Sequence, residues 1–303
     1  MNAIRVSIFD AVGSKCSAVK NVNDALNQIG ANFEPLKVST FYQFNDKVMK
    51  GDKMEIIRSD NGKSLGTMGE GYHACSNSIA FDILNQITRE TGAIFERGGE
   101  IKNKYFLSVK LPYSIAPKKN PKDVTELYFT AFNSFDGSTG IVYAENSIRI
   151  VCQNTFKASL NTGFSKIRHS ALAQQKIDDV KLQIAFAIAE KETLQNQINV
   201  LYDRSMTSRE MTAFSYKLLN IKDGEETTRQ INKSEQLVGL FSRGMGNEGR
   251  NAYDALNAVT EYADFYSTSK ETEGNSRAVN KFESGFLGPN NALKSRAMEL
   301  LLN

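Results

Sequence analysis

Two glycine-rich segments are the parts of this sequence that could hold a nucleotide phosphate. Gly62-Lys63-Ser64 matches the end of a phosphate-binding loop, but the glycine needed five residues upstream is Ile57. Because Asn61-Gly62 readily supplies the positive backbone angles of a tight turn, the segment predicts a hairpin instead. Residues 244–249 (GMGNEG) match a dinucleotide fingerprint, yet they lie between two predicted helices rather than after a strand. The sequence therefore predicts no nucleotide cofactor.

Cysteine and histidine side chains are the other candidates for metal binding or catalysis. His73, Cys75, Cys152 and His169 would complete a tetrahedral zinc site if they met in space, but neither pair has the ligand spacing of a zinc module. Cys152 as nucleophile with His169 as base is a second interpretation, which the spacing neither supports nor excludes. A small buried cysteine in a strand is the favoured interpretation. With no distinctive carboxylate pair in addition, the sequence predicts a protein that is not an enzyme and holds no metal.

A series of cations and aromatic residues in the middle of the chain predicts nucleic-acid binding. Lys and Arg exceed Asp and Glu by five over residues 101–200, whereas the first and last thirds each carry a net charge of −1. Cations for phosphates and rings for bases are the components of a single-strand binding groove. The predicted site residues are Lys102, Lys104, Lys110, Arg149, Lys157, Lys166 and Arg168 for phosphate contacts, and Tyr105 and Phe135 for base stacking. In the competing interpretation the rings pack the core and the lysines solvate the sheet.

The elements that must position these residues begin with a mixed unit over residues 1–164. Helical patterns span residues 21–30 and 77–90, and a hairpin is predicted between them at residues 54–59 and 64–68. Four runs rich in aromatic and β-branched residues follow without an intervening helix, which predicts an antiparallel sheet. Tyr105, Leu107 and Val109 alternate with Phe106, Ser108 and Lys110, as expected of a half-buried strand.

Residues 165–303 form a predicted helical unit. The longest pattern covers residues 171–202, and Thr207 with Glu210 makes a capping box for a helix that ends near Asn220. Helices are also predicted at residues 228–243 and 252–267, followed by a polar linker and a final helix at residues 291–301. The predicted fold class is α+β, with an α+β sheet domain at residues 1–164 and a helical domain at residues 165–303.

Composition excludes several classes of protein. The chain has 303 residues, of which 41% are hydrophobic and 23% charged, so it predicts a folded globular protein rather than a disordered or fibrous one. No run is long and apolar enough to predict a signal peptide or a membrane span. Three scattered cysteines fit reduced thiols better than a disulfide framework, and the expected location is therefore the cytoplasm.

Several short motifs in a fixed order resemble one known family. They are RSDNGKSLG (58–66), the glycine-containing segment at 95–100, NSFDGST (133–139), IRIVCQNT (148–155), IRHS (167–170) and NAVTEYADFY (257–266). Together they resemble the uncharacterised phage/plasmid-like protein family of bacteriophages, plasmids and prophages, although the tryptophan usual near the last motif is absent. The resemblance implies a mobile-element protein in a bacterial cytoplasm and supplies no reaction. The order of elements is also similar to the core of ring-forming single-strand annealing proteins, which work without ATP.

These observations predict a phage- or plasmid-encoded, ATP-independent protein that binds single-stranded DNA and promotes annealing during recombination or replication. We expect homo-oligomers, because they would extend the binding groove, and we expect no membrane contact. The alternative is a non-enzymatic protein-binding factor in phage assembly or counter-defence, with the helical half as its docking surface.

Overall fold

The computed structural model describes residues 7–16, 18–149, 154–156, 166–188, 191–222, 224–272 and 274–303. The strands are β1 (Ser14–Lys15), β2 (Pro35–Phe44), β3 (Lys47–Arg58), β4 (Ser64–Met68), β5 (Ile94–Ile101), β6 (Lys104–Ile115), β7 (Thr125–Ser134), β8 (Val142–Arg149) and β9 (Asn154–Phe156). The helices are α1 (Val22–Gln28), α2 (Asn77–Phe81), α3 (Ile83–Thr91), α4 (Ala173–Ile188), α5 (Lys191–Asp203), α6 (Ser208–Leu219), α7 (Thr228–Arg243), α8 (Ala252–Glu261), α9 (Arg277–Leu287) and α10 (Pro289–Leu302). This arrangement confirms the α+β class.

The strands form two antiparallel sheets. One has six strands in the order β1-β5-β6-β7-β8-β9, and the other has three in the order β2-β3-β4. The predicted hairpin at residues 54–68 is confirmed, with Gly62 at a positive φ of 70° in its turn. The four predicted strands are also confirmed as β5 to β8, and each pairs antiparallel with the next.

Both faces of the six-stranded sheet are buried and carry large apolar side chains, which corrects the expectation of a half-buried strand. Tyr105, Leu107 and Val109 of β6 point into the main core, which also contains α1 to α3 and much of the helical half. Phe106 points to the opposite face, where a second core of eleven buried residues includes Ile8, Phe9 and Val12 as well as Phe282 and Phe286 of α9. The N-terminal segment and α9 therefore cover the face that was expected to meet solvent.

A close approach of backbones lets the N-terminal segment reach this sheet. β1 pairs with β5 so that Ser14 lies opposite Gly98. A Cβ atom on Gly13 would lie 2.5 Å from the carbonyl oxygen of Gly98, and one on Gly99 would lie 2.9 Å from the Cα of Gly13. Since neither distance leaves room for a side chain, Gly13 and Gly99 have a packing role.

The helical half matches the sequence patterns where the helix caps are local. The capping box of Thr207 and Glu210 is present at the start of α6, and α7 spans the predicted residues 228–243. The pattern over 171–202 corresponds to two helices, α4 and α5, and the helix predicted at 252–267 changes after Glu261 into a π-helical turn, Tyr262–Tyr266. The predicted polar linker is wrong, because it contains α9.

The two predicted domains share a core. The boundary at residues 164–165 lies outside the described residues, but the main core joins Leu107 and Tyr143 of the sheet to Leu201 and Leu256 of the helices. Strand and helix content thus changes near this boundary while the apolar core continues across it. In the described part of the chain, helices are too short or too polar to cross a lipid bilayer.

Phe282→Ala tests the importance of α9 for the second core. The Phe282 ring is fully buried and stacks on Phe286 with a centroid separation of 4.4 Å. We expect the free energy of unfolding to fall by about 3–5 kcal/mol, because the substitution removes buried apolar surface and leaves a cavity. Urea denaturation followed by circular dichroism measures the change.

Phe44→Ala is the matched control, since the Phe44 side chain is exposed and the same atoms are removed. We expect a change within about 0.5 kcal/mol for this variant. Equal effects of the two substitutions would contradict the assignment of α9 to the core.

Candidate nucleic-acid interface

Lys102 and Lys104 share a carboxylate from the helical half. Lys102 and Asn103 form the two-residue turn between β5 and β6, both with positive φ. Lys102 Nζ lies 2.6 Å from one carboxylate oxygen of Glu283, and Lys104 Nζ lies 2.7 Å from the other. Burial opposes ionisation of Glu283, but the hydrogen bonds from the two lysines outweigh it and lower the pKa of the carboxyl. Both ammonium groups are therefore already paired.

Lys110 and Arg149 each pair with a carboxylate of their own. Lys110 Nζ lies 2.5 Å from Glu126, whose other oxygen accepts a hydrogen bond from Tyr128. Arg149 donates two hydrogen bonds to Asp123, at 2.6 and 2.5 Å, and both side chains are buried. These contacts correct the expectation for Lys104 and Arg149, because each is buried beside a carboxylate and a phosphate group has no access to it.

Tyr105 and Phe135 are core residues. Both are buried, and they pack around Phe33 with ring centroids 5.3 and 5.8 Å from it. A base cannot stack on either ring, because neither face is open to solvent. The interpretation in which these aromatic residues fill the core is the one that the structure supports.

Of the remaining predicted cations, Lys166 and Arg168 lie in the described part of the chain. Lys166 and Arg168 are exposed and flank Ile167, whose backbone pairs with that of Ile141. Lys157 lies outside the described residues. Phosphate binding by Lys166 and Arg168 stays a prediction.

His169 and Cys75 form a structural contact. The backbone N–H of Cys75 donates to Nδ1 of His169 at 3.0 Å, and Tyr72 stacks on the imidazole with a centroid separation of 5.2 Å. Burial lowers the pKa of His169 to about 4 and raises the pKa of the Cys75 thiol to about 12. Cys75 is thus an inert thiol at neutral pH. Cys152 lies outside the described residues, and in the described part of the chain no group of three potential ligands could hold a metal ion.

The GMGNEG segment is hydrogen-bonded to charged side chains of the protein through both its carbonyl groups and its amides. Arg149 donates to the carbonyls of Met245 and Gly246, at 3.4 and 2.8 Å. The Met245 N–H donates to Glu261 at 3.0 Å. The Glu248 N–H likewise donates to Asp254 at 3.3 Å. These amides are already bonded to carboxylates of the protein, whereas a phosphate cradle directs its backbone N–H groups at the bound anion.

The NAVTEYADFY segment is a buried polar part of the helical half. It comprises the second half of α8 and the π-helical turn, and Asp264 in that turn forms a buried ion pair with Lys294 of α10. Lys281 of α9 donates to the backbone carbonyls of Asp264 and Phe265, at 2.9 and 2.8 Å. The π-helical turn is therefore fastened to both C-terminal helices.

The structure shows an exposed hairpin that the predicted site did not include. We call residues 39–53 the hairpin arm, which consists of the ends of β2 and β3 that lie beyond the pairing with β4. Asn45 and Asp46 form its turn, with φ angles of 45° and 58°, which is typical of a tight two-residue hairpin loop. Every residue from 41 to 50 is exposed, so no described element covers either face of this part of the arm.

The arm presents aromatic rings and ammonium groups together. The arm aromatics, Phe41, Tyr42 and Phe44, are 65%, 53% and 61% exposed. The arm lysines are Lys47, Lys50 and Lys53, and they are exposed as well. Phe41 lies opposite Lys50 and Phe44 lies opposite Lys47 in the strand register, and such partners project from the same face. Each face of the arm therefore carries a ring beside an ammonium group.

Large exposed apolar side chains are concentrated on this hairpin. Of the twelve in the described part of the chain, seven belong to β2 and β3: Leu36, Val38, Phe41, Tyr42, Phe44, Val48 and Met49. Among the described residues of the helical half they are Leu172, Val200 and Tyr266. The protein-binding alternative has the helical half as its docking surface, and this alternative stays a prediction.

The comparisons with known proteins place the chain without assigning an activity. A family model described as "Domain of unknown function (DUF932)" matches residues 64–284. This range begins at β4 and ends within α9, so the hairpin arm precedes it. Searches of the curated proteins and of the solved structures gave no significant match.

Glu283→Gln tests the ion pairs that Lys102 and Lys104 form. The variant leaves the Lys104 ammonium buried without a counter-charge, and we expect the free energy of unfolding at pH 7 to fall by about 1–3 kcal/mol. Because the folded-state pKa of Glu283 is lowered, the carboxylate stabilises the fold above its unfolded-state pKa and loses this effect as the pH falls through the folded-state pKa. The difference between variant and wild type should therefore shrink in acid, which urea denaturation at several pH values measures.

Glu225→Gln is the matched control, since Glu225 pairs with Lys222 at an exposed site. We expect a change within about 0.5 kcal/mol. A loss for Glu283→Gln that is no larger than the loss for this control, or that does not vary with pH, would contradict the assigned ion pairs.

Proposed function

The chain belongs to the DUF932 family, and we propose that it binds single-stranded DNA through the hairpin arm. The observation that carries this proposal is the pairing of exposed rings with unpaired ammonium groups on one projecting hairpin. A single strand offers bases for stacking and phosphates for ion pairing, whereas a duplex keeps its bases stacked inside.

The arm aromatics support base stacking. Burying a phenylalanine or tyrosine ring stabilises a fold. The three arm aromatics lie within four positions and are exposed, so they contribute little of this stabilisation. Both faces of an unpaired base are apolar, and a ring on a projecting strand can reach one without a preformed pocket. The arm thus has the accessible rings that Tyr105 and Phe135 lack.

The arm lysines support phosphate binding. In the described part of the chain, none of them has an ion-pair partner, whereas Lys102, Lys104, Lys110 and Arg149 each contact a carboxylate. Lysine is depleted at protein–protein contact surfaces, so a set of lysines among exposed rings favours a nucleic acid over a protein ligand.

Each cross-strand pair of the arm has the chemistry that one nucleotide requires. Phe41 with Lys50 and Phe44 with Lys47 each present one ring and one ammonium group side by side. A nucleotide also presents one ring system and one anionic group. The arm extends about 17 Å from residue 39 to its turn, at about 3.4 Å per residue, which is room for a few nucleotides.

The finer proposal is that binding promotes annealing without ATP, during recombination or replication of a phage or plasmid. It is supported by the resemblance of the ordered motifs to the phage/plasmid-like family. It also agrees with the geometry of the two glycine segments, one a hairpin turn and the other a loop whose carbonyls face Arg149. A non-enzymatic protein-binding factor is the competing function, and it predicts no affinity for DNA.

Fluorescence anisotropy with a labelled single strand of about 30 nucleotides and the matching duplex tests the proposal. We expect preference for the single strand and an affinity that falls with salt. Replacing the three arm aromatics with alanine should weaken binding at least about tenfold, since each stacked ring contributes about 1–3 kcal/mol. Replacing the three arm lysines with glutamine should reduce the slope of log affinity against log salt by up to about 2.

The control for the lysine variant removes the same charge elsewhere, at the exposed residues Lys176, Lys222 and Lys270. We expect it to leave the slope nearly unchanged. A separate variant at Lys166 and Arg168 tests the cations predicted from the middle of the chain. Binding that is unaffected by both arm variants would contradict the arm as the site, and no binding to a single strand at low salt would contradict the function itself.

Annealing is measured by mixing two complementary strands in the absence of ATP. The wild-type protein should accelerate duplex formation, and the aromatic variant should not. Binding without acceleration would leave single-strand binding in place and contradict the finer proposal.

A further inference from the structure

We propose that β2 is the contact strand of a two-fold dimer, in which the β2 strands of two copies of this chain pair antiparallel along their free edges. The proposal concerns the backbone edge and the charge distribution of the hairpin, and it does not rest on DNA binding.

The outer edge of β2 is an open hydrogen-bonding edge. β2 spans ten residues and pairs with β3 on one side only. In the described part of the chain, its other side pairs with no strand. Such a row of unpaired N–H and C=O groups is a template for another strand. Since an isolated two-stranded hairpin is marginally stable in water, the arm also gains most from a partner.

The charges select β2 rather than β3 as the pairing edge. Residues 38–44 (VSTFYQF) contain no charged residue, no glycine and no proline. The outer edge of β3 carries the three arm lysines over residues 47–53, where β4 does not cover it. Lysines on an edge strand oppose pairing with another strand, and uncharged β-forming residues permit it.

Use of the same edge by both copies gives a closed assembly. When β2 pairs with β2, the contact is identical on the two chains and a two-fold axis relates them. Pairing of β2 with β3 of the next copy would instead leave free edges and continue into a filament, and it would bring the arm lysines into the contact. The charge distribution therefore favours the dimer over the filament.

The side chains of β2 are compatible with this contact. Around the two-fold axis the arm aromatics of one copy lie beside those of the other, and cross-strand aromatic pairs are favourable. No like charges face each other, because residues 38–44 carry none. The resulting four-stranded sheet has the order β3-β2-β2-β3, with the rings in its centre and the arm lysines on its two outer flanks.

The contact is small, which favours a weak dimer. Each copy contributes at most the ten residues of β2, compared with about 20–30 residues a side in a stable interface of standard size. We therefore expect a dimer that dissociates on dilution, with a dissociation constant on the order of 1–100 µM.

Sedimentation velocity without nucleic acid, over about 1–100 µM protein, tests the dimer. We expect a reversible shift from monomer to dimer as the concentration rises. Phe41→Lys should weaken the dimer at least tenfold, because it places like charges near the two-fold axis. Val48→Lys is the matched control on β3, at another exposed apolar residue of the arm, and should leave the dimer unchanged.

Disulfide cross-linking gives a second test that does not depend on weakening the contact. Phe41→Cys and Lys50→Cys place a thiol on the two members of one cross-strand pair. Mild oxidation should cross-link the Phe41→Cys protein and not the Lys50→Cys protein. A monomer at every concentration, an open-ended series of assemblies, or equal cross-linking of the two variants would each overturn the two-fold pairing. A dimer without DNA affinity would uphold it while contradicting the proposed function.

Discussion

The six-stranded sheet carries large apolar side chains on both faces, and each face must be kept from water. The helices α1 to α3 and the helical half cover the face of Tyr105 and Leu107, while residues from both ends of the chain cover the face of Phe106. The helix α9, which lies late in the sequence, meets this requirement on the second face. It also brings Glu283 next to the turn that joins β5 to β6, and Lys102 in that turn and Lys104 at the start of β6 consequently form ion pairs within the protein.

Several cations in the middle of the chain connect elements of the fold. Arg149 at the end of β8 holds Asp123 and the carbonyls of the loop between α7 and α8. Lys181 of α4 lies 2.7 Å from Asp82, which precedes α3. In a sequence, such cations have the same appearance as those that bind phosphate. Their different role depends on carboxylates that lie far away along the chain and reach them only in the fold.

Features of the fold with local causes could be predicted from the sequence. The Asn61-Gly62 turn, the capping box at Thr207 and the span of α7 all depend on neighbouring residues. The helix α9 was missed because its charged and glycine residues resemble a linker. Its apolar residues Phe282 and Phe286 acquire their role by packing on the sheet, which is distant in sequence. The candidate site on the hairpin arm could not be predicted for a different reason. Exposure of Phe41 and Phe44 results from the lack of a covering element, which no local pattern reveals.

The hairpin arm has a further consequence for the dynamics of the molecule. Among the described residues, its strands pair with each other alone, whereas β6 is hydrogen-bonded on both sides and buried on both faces. Local opening of the arm therefore breaks few interactions and leaves the two cores intact, so its amide protons exchange through small fluctuations rather than through global unfolding. A ligand that orders the arm must compensate the conformational entropy lost there, and this cost reduces its affinity without affecting the stability of the rest of the fold.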